Sequence, residues 1–258
     1  MDYLVASLLG AVQGITEFLP ISSSGHLVIL QSLLGITEGG LLLDTILHVG
    51  TALAIIFVFR ADLLRLCTDA FSANASQRSQ SFTYIFYLIV GTIPAGLAGI
   101  FLNDYFEQLF SAPKAAASML LVTAALLFIS AMRRDEGGPM TLMKACIIGI
   151  AQAVAIIPGI SRSGSTIVFA LLIGVSRGEA GRFSFLLALP VIFGAALLQV
   201  RDVESLNVNP GALAAGFFVS IATGIVALRL LLKFVQRGKL FFFGFYCVVA
   251  GLLGIIFL

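Results

Sequence analysis

The chain has 258 residues, of which 59% are hydrophobic and 11% are charged. Ordinary soluble domains carry roughly 25% charged residues, so the composition excludes a soluble globular protein. The formal net charge of +2 is small and the basic residues are scattered, which argues against nucleic acid as a partner. Apolar runs recur along the whole chain, and they predict an integral membrane protein of several helices, with membrane lipid around it.

The few cysteines and histidines limit the metal chemistry open to the chain. Cys67, Cys146 and Cys247 lie far apart in the sequence, which favours neither a disulfide framework nor a thiolate metal site. The two histidines, His26 and His48, are too few for a zinc or copper centre. Any metal is therefore expected to be a hard cation on oxygen ligands.

Eight apolar regions define the predicted fold. The regions 3–34 and 140–176 are each broken by Pro, Gly and Ser, and we predict that they form re-entrant helical hairpins facing a shared polar cavity. The six unbroken regions are long enough to cross about 30 Å of hydrocarbon; they are 42–60, 83–102, 115–132, 182–200, 211–233 and 240–258. The sequence thus predicts a single all-α polytopic membrane domain over 1–258, with six full transmembrane helices and two re-entrant hairpins.

The positions of the cations predict the orientation of these segments. If neither hairpin crosses, Lys114 and Arg201 lie on one side, and eleven cations lie on the other: Arg60, Arg65, Arg78, Arg133, Arg134, Lys144, Arg177, Arg182, Lys233, Arg237 and Lys239. The positive-inside rule places the eleven cations in the cytoplasm. Both termini and the opening of the first hairpin are then expected at the outer face.

The two hairpins resemble one another in sequence. Five residues of the first hairpin recur in the second when position 10 is aligned with position 149. They are Gly10, Gln13, Ser22, Ser24 and Gly25. Chance similarity of Gly-rich and Ser-rich segments is the alternative to a true repeat. Three predicted crossings separate the copies, so we expect an inverted-topology repeat, with one copy at about 3–102 and the other at about 140–233. Such repeats are typical of transporters, whose broken helices bind anions near the bilayer midplane.

The first break carries an acid and several hydroxyls. Gln13 and Glu17 stand four residues apart and share one helix face. An ionisable group within a membrane segment is unfavourable unless it is paired or metal-bound, so Glu17 is a functional candidate. The alternative is a protonated Glu17 bonded to a neighbouring helix. Ser22, Ser23 and Ser24 then precede His26, whose imidazole titrates near neutral pH.

The second break carries a base among hydroxyls. Arg162 lies between Ser161 and Ser163, with Thr166 one turn later, at the start of a half-helix. A guanidinium, hydroxyls and the positive end of a helix dipole together are typical of a phosphate site. Asp44 and His48 form another pair spaced by four, for which a functional role and mutual hydrogen bonding are equally favoured.

These motifs resemble those of a known family. The stretch Gln13–Pro20 with Ser22–His26, and the stretch Pro158–Thr166, are similar to the two signature motifs of the bacterial undecaprenyl-diphosphate phosphatases, or bacitracin resistance proteins. The resemblance covers the whole chain. It implies hydrolysis of undecaprenyl diphosphate to undecaprenyl phosphate and phosphate at the outer face of the bacterial cytoplasmic membrane. That reaction recycles the lipid carrier of peptidoglycan synthesis and confers bacitracin resistance.

The resemblance also implies roles for individual residues. The acidic motif of the family, Glu or Gln followed after three residues by Glu, matches Gln13 and Glu17. The chain carries the Gln form, so Glu17 is the expected ligand of a divalent cation, Mg²⁺ or Ca²⁺. The catalytic serine and histidine match Ser23 and His26, and the phosphate-binding arginine matches Arg162. We expect Ser23 to attack phosphorus or orient a water and His26 to pass the proton.

Further side chains are expected to contact the polyprenyl diphosphate: Gln13, Ser22, Ser24, Ser161, Ser163 and Thr166. The sequence is compatible with a homodimer. A phosphatidic-acid-type phosphatase also carries a motif similar to Ser23–His26, but it requires an Arg-Pro dipeptide that this chain lacks. The remaining alternative is a transporter or flippase of polyprenyl phosphates. In a transporter, His26→Ala should leave substrate movement intact, whereas hydrolysis should fall by orders of magnitude.

Overall fold

The computed structural model describes residues 2–36, 40–102, 109, 112–132, 137–199 and 209–257. Within these ranges the chain forms helices joined by turns, with an isolated β-bridge between Gly138 and Val175. Eleven helices lie in the described ranges: α1 (Tyr3–Phe18), α2 (Ser23–Leu34), α3 (Gly40–Val58), α4 (Arg60–Ala70), α5 (Ala75–Phe101), α6 (Pro113–Ser130), α7 (Leu142–Val154), α8 (Arg162–Leu172), α9 (Arg177–Gln199), α10 (Pro210–Gln236) and α11 (Phe241–Phe257).

Several of these helices are able to cross a membrane. Among the described residues, four helices are long and apolar enough, namely α5, α6, α9 and α10. A fifth span is formed if Leu42–Val58 and α4, which meet at a bend of 70°, are one crossing. Helix α11 has 17 residues, which at 1.5 Å per residue is about 26 Å. The polytopic all-α membrane fold is confirmed, whereas the count of six crossings and two re-entrant hairpins stays a prediction.

Helix α4 was not predicted from the sequence. It follows α3 directly and carries charged residues such as Asp62 and Arg65, so a search for apolar runs passes over it. Arg182 of α9 contacts the Asp62 carboxylate at 2.7 Å, and its guanidinium lies 4.8 Å from the centre of the Tyr84 ring on α5. The contact of Asp62 with Arg182 thus links α4 to α9, and Leu66 of α4 packs into the apolar core.

Both predicted hairpins consist of two helices with a break between them. The break between α1 and α2 ends at Ser22, whose hydroxyl accepts a hydrogen bond from the Gly25 amide. The break between α7 and α8 ends at Ser161, whose hydroxyl accepts from the Gly164 amide in the same way. These are equivalent positions in the predicted repeat, so the capping structure recurs. The bounds and the inverted orientation of the repeat stay predictions.

Glycine contacts dock the first helix of each hairpin on a long helix. Helix α1 packs against α10, and a Cβ added to Gly10 would lie 2.3 Å from the Gly216 carbonyl oxygen. Helix α7 packs against α5, and a Cβ at Gly149 would lie 2.5 Å from the Gly91 carbonyl oxygen. Small residues allow such close approach of helices in membranes. The equivalent glycines of the two copies thus fix the broken helices in place.

Candidate active site

The two breaks meet in the structure. The Ser22 hydroxyl accepts a hydrogen bond from the Gly159 amide at 3.1 Å, and the Ser163 hydroxyl donates to the Leu19 carbonyl at 3.5 Å. Gly159 has a φ of +91°, and a Cβ there would lie 2.0 Å from the Ala116 carbonyl oxygen. Glycine is therefore required at this contact both by its backbone conformation and by the space available.

The carboxylate of Glu17 is the centre of the site. Its Oε1 accepts from Nη2 of Arg162, which lies 145 residues away in sequence. Its Oε2 accepts from the Ser23 hydroxyl at 2.5 Å and from Nε2 of Gln13 at 3.0 Å. The Glu17 side chain is only 5% exposed. A buried carboxylate is tolerated when it is paired and hydrogen-bonded in this way.

His48 also belongs to this site. Its Nε2 lies 3.6 Å from Oε2 of Glu17, and its Nδ1 bonds to the Asp44 backbone carbonyl at 2.7 Å. The Asp44 carboxylate instead accepts from the Gln31 amide at 2.7 Å. The sequence left the role of His48 open, because a spacing of four residues does not show which helix the imidazole faces.

His26 lies in a different environment from the one expected of a proton carrier for Ser23. Its Nδ1 bonds to the Ser22 carbonyl at 2.7 Å, and its Nε2 bonds to the Tyr246 hydroxyl at 2.7 Å. The Ser23 hydroxyl donates to Glu17 instead. Tyr246, on α11, was not a candidate from the sequence, since it belongs to neither motif and lies 220 residues from His26.

Most of the other predicted hydroxyls stabilise the breaks. Ser24 shares a hydrogen bond with the Ser22 hydroxyl at 3.3 Å, and Ser163 shares one with the Ser161 hydroxyl at 3.2 Å. The Thr166 hydroxyl donates to the Arg162 carbonyl at 2.9 Å. The structure therefore gives these side chains a role in positioning the backbone around Glu17 and Arg162.

Two buried polar atoms of the site have no hydrogen-bond partner among the residues that the structure describes. They are Oε1 of Gln13 and Nη1 of Arg162. A buried polar group without a hydrogen bond is unfavourable unless a ligand or water satisfies it. One of these atoms is an acceptor suited to a cation, and the other is a charged donor suited to a phosphate oxygen.

The donor set fits a divalent cation only in part. Among the described residues, no group of three His, Cys, Asp or Glu side chains is placed to hold a metal ion. The oxygen donors present are the Glu17 carboxylate and Oε1 of Gln13, which suit a hard cation. Magnesium commonly binds one or two carboxylates together with the phosphates of a substrate. These two donors alone would leave the remaining coordination positions of such a cation to a phosphorylated ligand and water.

The fold and the site define a class of protein. It is a polytopic helical membrane protein with two broken helices, in which a buried glutamate from one break contacts an arginine from the other. Residues 6–253 match the family described as bacitracin resistance protein BacA, and the chain belongs to this family. The family predicted from the two sequence motifs is confirmed.

Relatives match along nearly their whole length. A protein of Methanosphaera stadtmanae is 42% identical over 99% of this chain and 98% of its own. One of Desulfatibacillum aliphaticivorans is 43% identical over 97% of each chain. One of Bacillus thuringiensis is 40% identical over 100% of this chain and 97% of its own. The first two are named undecaprenyl-diphosphatase and the third undecaprenyl-diphosphatase 2.

Proposed function

We propose that the chain is an undecaprenyl-diphosphatase, an enzyme that hydrolyses undecaprenyl diphosphate to undecaprenyl phosphate and inorganic phosphate. The observation that carries this proposal is the contact of Glu17 with both Arg162 and Ser23. It brings together a carboxylate, a guanidinium and a hydroxyl from two motifs that are distant in sequence. The names of the full-length relatives support the same activity. Because the bond that breaks joins two phosphates, the enzyme is a phosphoric anhydride hydrolase.

Arg162 binds the terminal phosphate in this proposal. It is the first residue of α8, so the amides and the positive end of the helix dipole lie beside its guanidinium. Its Nη1, which has no partner in the described part of the chain, would donate to a phosphate oxygen. Negative charge builds on the transferred and leaving oxygens during phosphoryl transfer, and a fixed guanidinium stabilises it.

Ser23 is the proposed nucleophile. Its hydroxyl already donates to Oε2 of Glu17, so the carboxylate is placed to take the proton as Ser23 Oγ bonds to the terminal phosphorus. The bond from phosphorus to the bridging oxygen breaks, and undecaprenyl phosphate leaves. Water then hydrolyses the phosphoserine, which releases phosphate and restores the Ser23 hydroxyl. Direct attack by a water held by Ser23 is the alternative route.

A divalent cation, Mg²⁺ or Ca²⁺, is part of the proposal. Glu17 and Oε1 of Gln13 would hold it, and it would supply positive charge for the diphosphate oxygens. The hydroxyls predicted to contact the substrate have an indirect role in this proposal, because they orient the backbone amides of the two breaks. They belong to Ser22, Ser24, Ser161, Ser163 and Thr166.

The proposed location is the bacterial cytoplasmic membrane, with both termini and the active site toward the outer face. Support comes from the predicted cytoplasmic cluster of Lys233, Arg237 and Lys239 at the turn between α10 and α11. Three of the cations used in the sequence count, Arg133, Arg134 and Arg201, lie outside the described residues.

The test is phosphate release from undecaprenyl diphosphate by the purified protein in detergent, with Mg²⁺ and with a chelator. Arg162→Ala and Glu17→Ala should abolish release. Arg229→Ala is a matched control, because Arg229 is exposed on α10 and its guanidinium lies over the Phe57 ring. No release by well-folded wild-type protein would refute the phosphatase and leave the polyprenyl-phosphate transporter, whose broken-helix architecture this fold shares.

A further inference from the structure

The two nitrogens of the His26 imidazole are both bonded, and the partners define the tautomer. The Ser22 carbonyl oxygen only accepts hydrogen bonds, so Nδ1, at 2.7 Å, carries a hydrogen. In the neutral ring Nε2 is then an acceptor, and the Tyr246 hydroxyl, at 2.7 Å, is its donor. The two rings are nearly parallel, at 14°, with their centroids 5.6 Å apart. The imidazole is thereby fixed from both sides.

The residue that His26 contacts has an unusual backbone. Ser22 has a φ of +68°, the one positive value among the non-glycine residues that the structure describes. Such a conformation is strained for a residue other than glycine and persists only where its surroundings hold it. The Ser22 carbonyl accepts two hydrogen bonds from His26, one from the backbone amide at 3.2 Å and one from Nδ1. His26 therefore holds the residue that directly precedes Ser23.

Helix α11 contacts the break on both sides of Ser23. Tyr246 bonds to His26 after it, and the neighbouring Cys247 thiol lies 3.7 Å from the Pro20 carbonyl before it. The main packing partner of α11 is α6 rather than either helix of the first hairpin. These two polar contacts are therefore specific links from the last helix to the first break.

We propose that Tyr246 is a positioning residue that acts through His26. The pair holds Ser22 in its strained conformation and so aims the Ser23 hydroxyl at Glu17. On this proposal His26 is also a positioning residue and does not carry the proton of Ser23. The inference rests on the proposed function, because the alignment of Ser23 matters for phosphoryl transfer.

The discriminating variant is His26→Asn. An asparagine amide nitrogen is able to replace the Nδ1 donor to the Ser22 carbonyl, but asparagine does not titrate near neutral pH. Misplacement of a reacting group by about 1 Å lowers rates by up to about 100-fold. We expect His26→Ala to lower kcat about 10- to 100-fold and His26→Asn to recover most of that loss. If His26→Asn is as impaired as His26→Ala, the imidazole carries a proton and the positioning role is wrong.

Tyr246→Phe tests the second half of the proposal. It removes only the hydroxyl, and we expect kcat to fall about 3- to 10-fold with KM unchanged. In a His26→Ala background the same change should have no further effect, since Tyr246 acts through the imidazole. An equal loss in both backgrounds, or no loss in the wild type, would overturn it. Tyr87→Phe on α5 is the matched control and should change neither parameter.

Two readouts separate failure of this inference from other failures. Phosphate release by the wild type is measured first, because its absence refutes the proposed function instead. The elution profile and thermal midpoint of each variant in detergent identify any that do not fold. If His26→Ala is misfolded, the comparison of Tyr246→Phe in the wild-type and His26→Asn backgrounds decides, since the asparagine side chain retains the Ser22 contact but has no counterpart of Nε2.

Discussion

The contact between Glu17 and Arg162 leads to a prediction in which stability and activity respond differently. Their side chains are 5% and 17% exposed, so each charge depends on the other. Removing one partner of a buried ion pair costs about 3–5 kcal/mol, because the remaining charge is left without compensation. Glu17 keeps hydrogen bonds from Gln13 and Ser23. We therefore expect Arg162→Met and Glu17→Gln each to lower the free energy of unfolding by about 3 kcal/mol, the lower end of that range.

The double variant, Glu17→Gln with Arg162→Met, buries no charge at this position. Its loss of stability should fall short of the sum of the two single losses by about 2–3 kcal/mol. Phosphate release should not recover, because the guanidinium that binds the phosphate and the carboxylate that takes the proton of Ser23 are still missing. Loss of one electrostatic stabiliser typically lowers kcat about 100- to 1,000-fold. Stability would thus recover in part while activity stays low.

The assay combines unfolding by SDS titration in mixed micelles with phosphate release by the same preparations. A control cycle uses Asp62→Asn and Arg182→Met, whose side chains are 38% and 28% exposed. The coupling energy of this control should stay below about 1 kcal/mol, because water still reaches both side chains. Additive losses at Glu17 and Arg162, or an active Arg162→Met variant, would refute the reasoning.

Three further predictions concern the nucleophile, the metal and the contact between the breaks. Ser23→Ala should lower phosphate release at least about 100-fold; acid-quenched wild type should retain labelled phosphate, and absence of label would indicate direct attack by water. Gln13→Glu adds a carboxylate, so the Mg²⁺ concentration for half-maximal release should fall about tenfold; an unchanged metal titration would remove Gln13 from the site. Gly159→Ala should lower the thermal midpoint strongly, because it adds about 1–3 kcal/mol of backbone strain and a clash with Ala116. Gly96→Ala, with no atom within 4 Å of the new Cβ, should not lower it.

Several features of the fold and site were predictable because their causes are local. Proline, glycine and serine interrupt an apolar run where the helical hydrogen bonds are lost, so both breaks were predictable. The high cost of burying a charge in a membrane marked Glu17 and Arg162. Helix α4 was missed for the complementary reason, since charged residues interrupt its apolar pattern and its position depends on tertiary contacts such as that of Asp62 with Arg182 on α9.

The sequence by itself determined the membrane class, the two breaks, the family and the chemical types of the site residues, because these depend on composition and on motifs of a few residues. Only the tertiary structure decided that Glu17 contacts Arg162, that His48 faces the same carboxylate, and that His26 bonds to Tyr246 rather than to Ser23. Such contacts join residues up to 220 positions apart. They depend on how closely helices dock, which the glycines at the α1–α10 and α5–α7 contacts set through packing rather than through any local pattern.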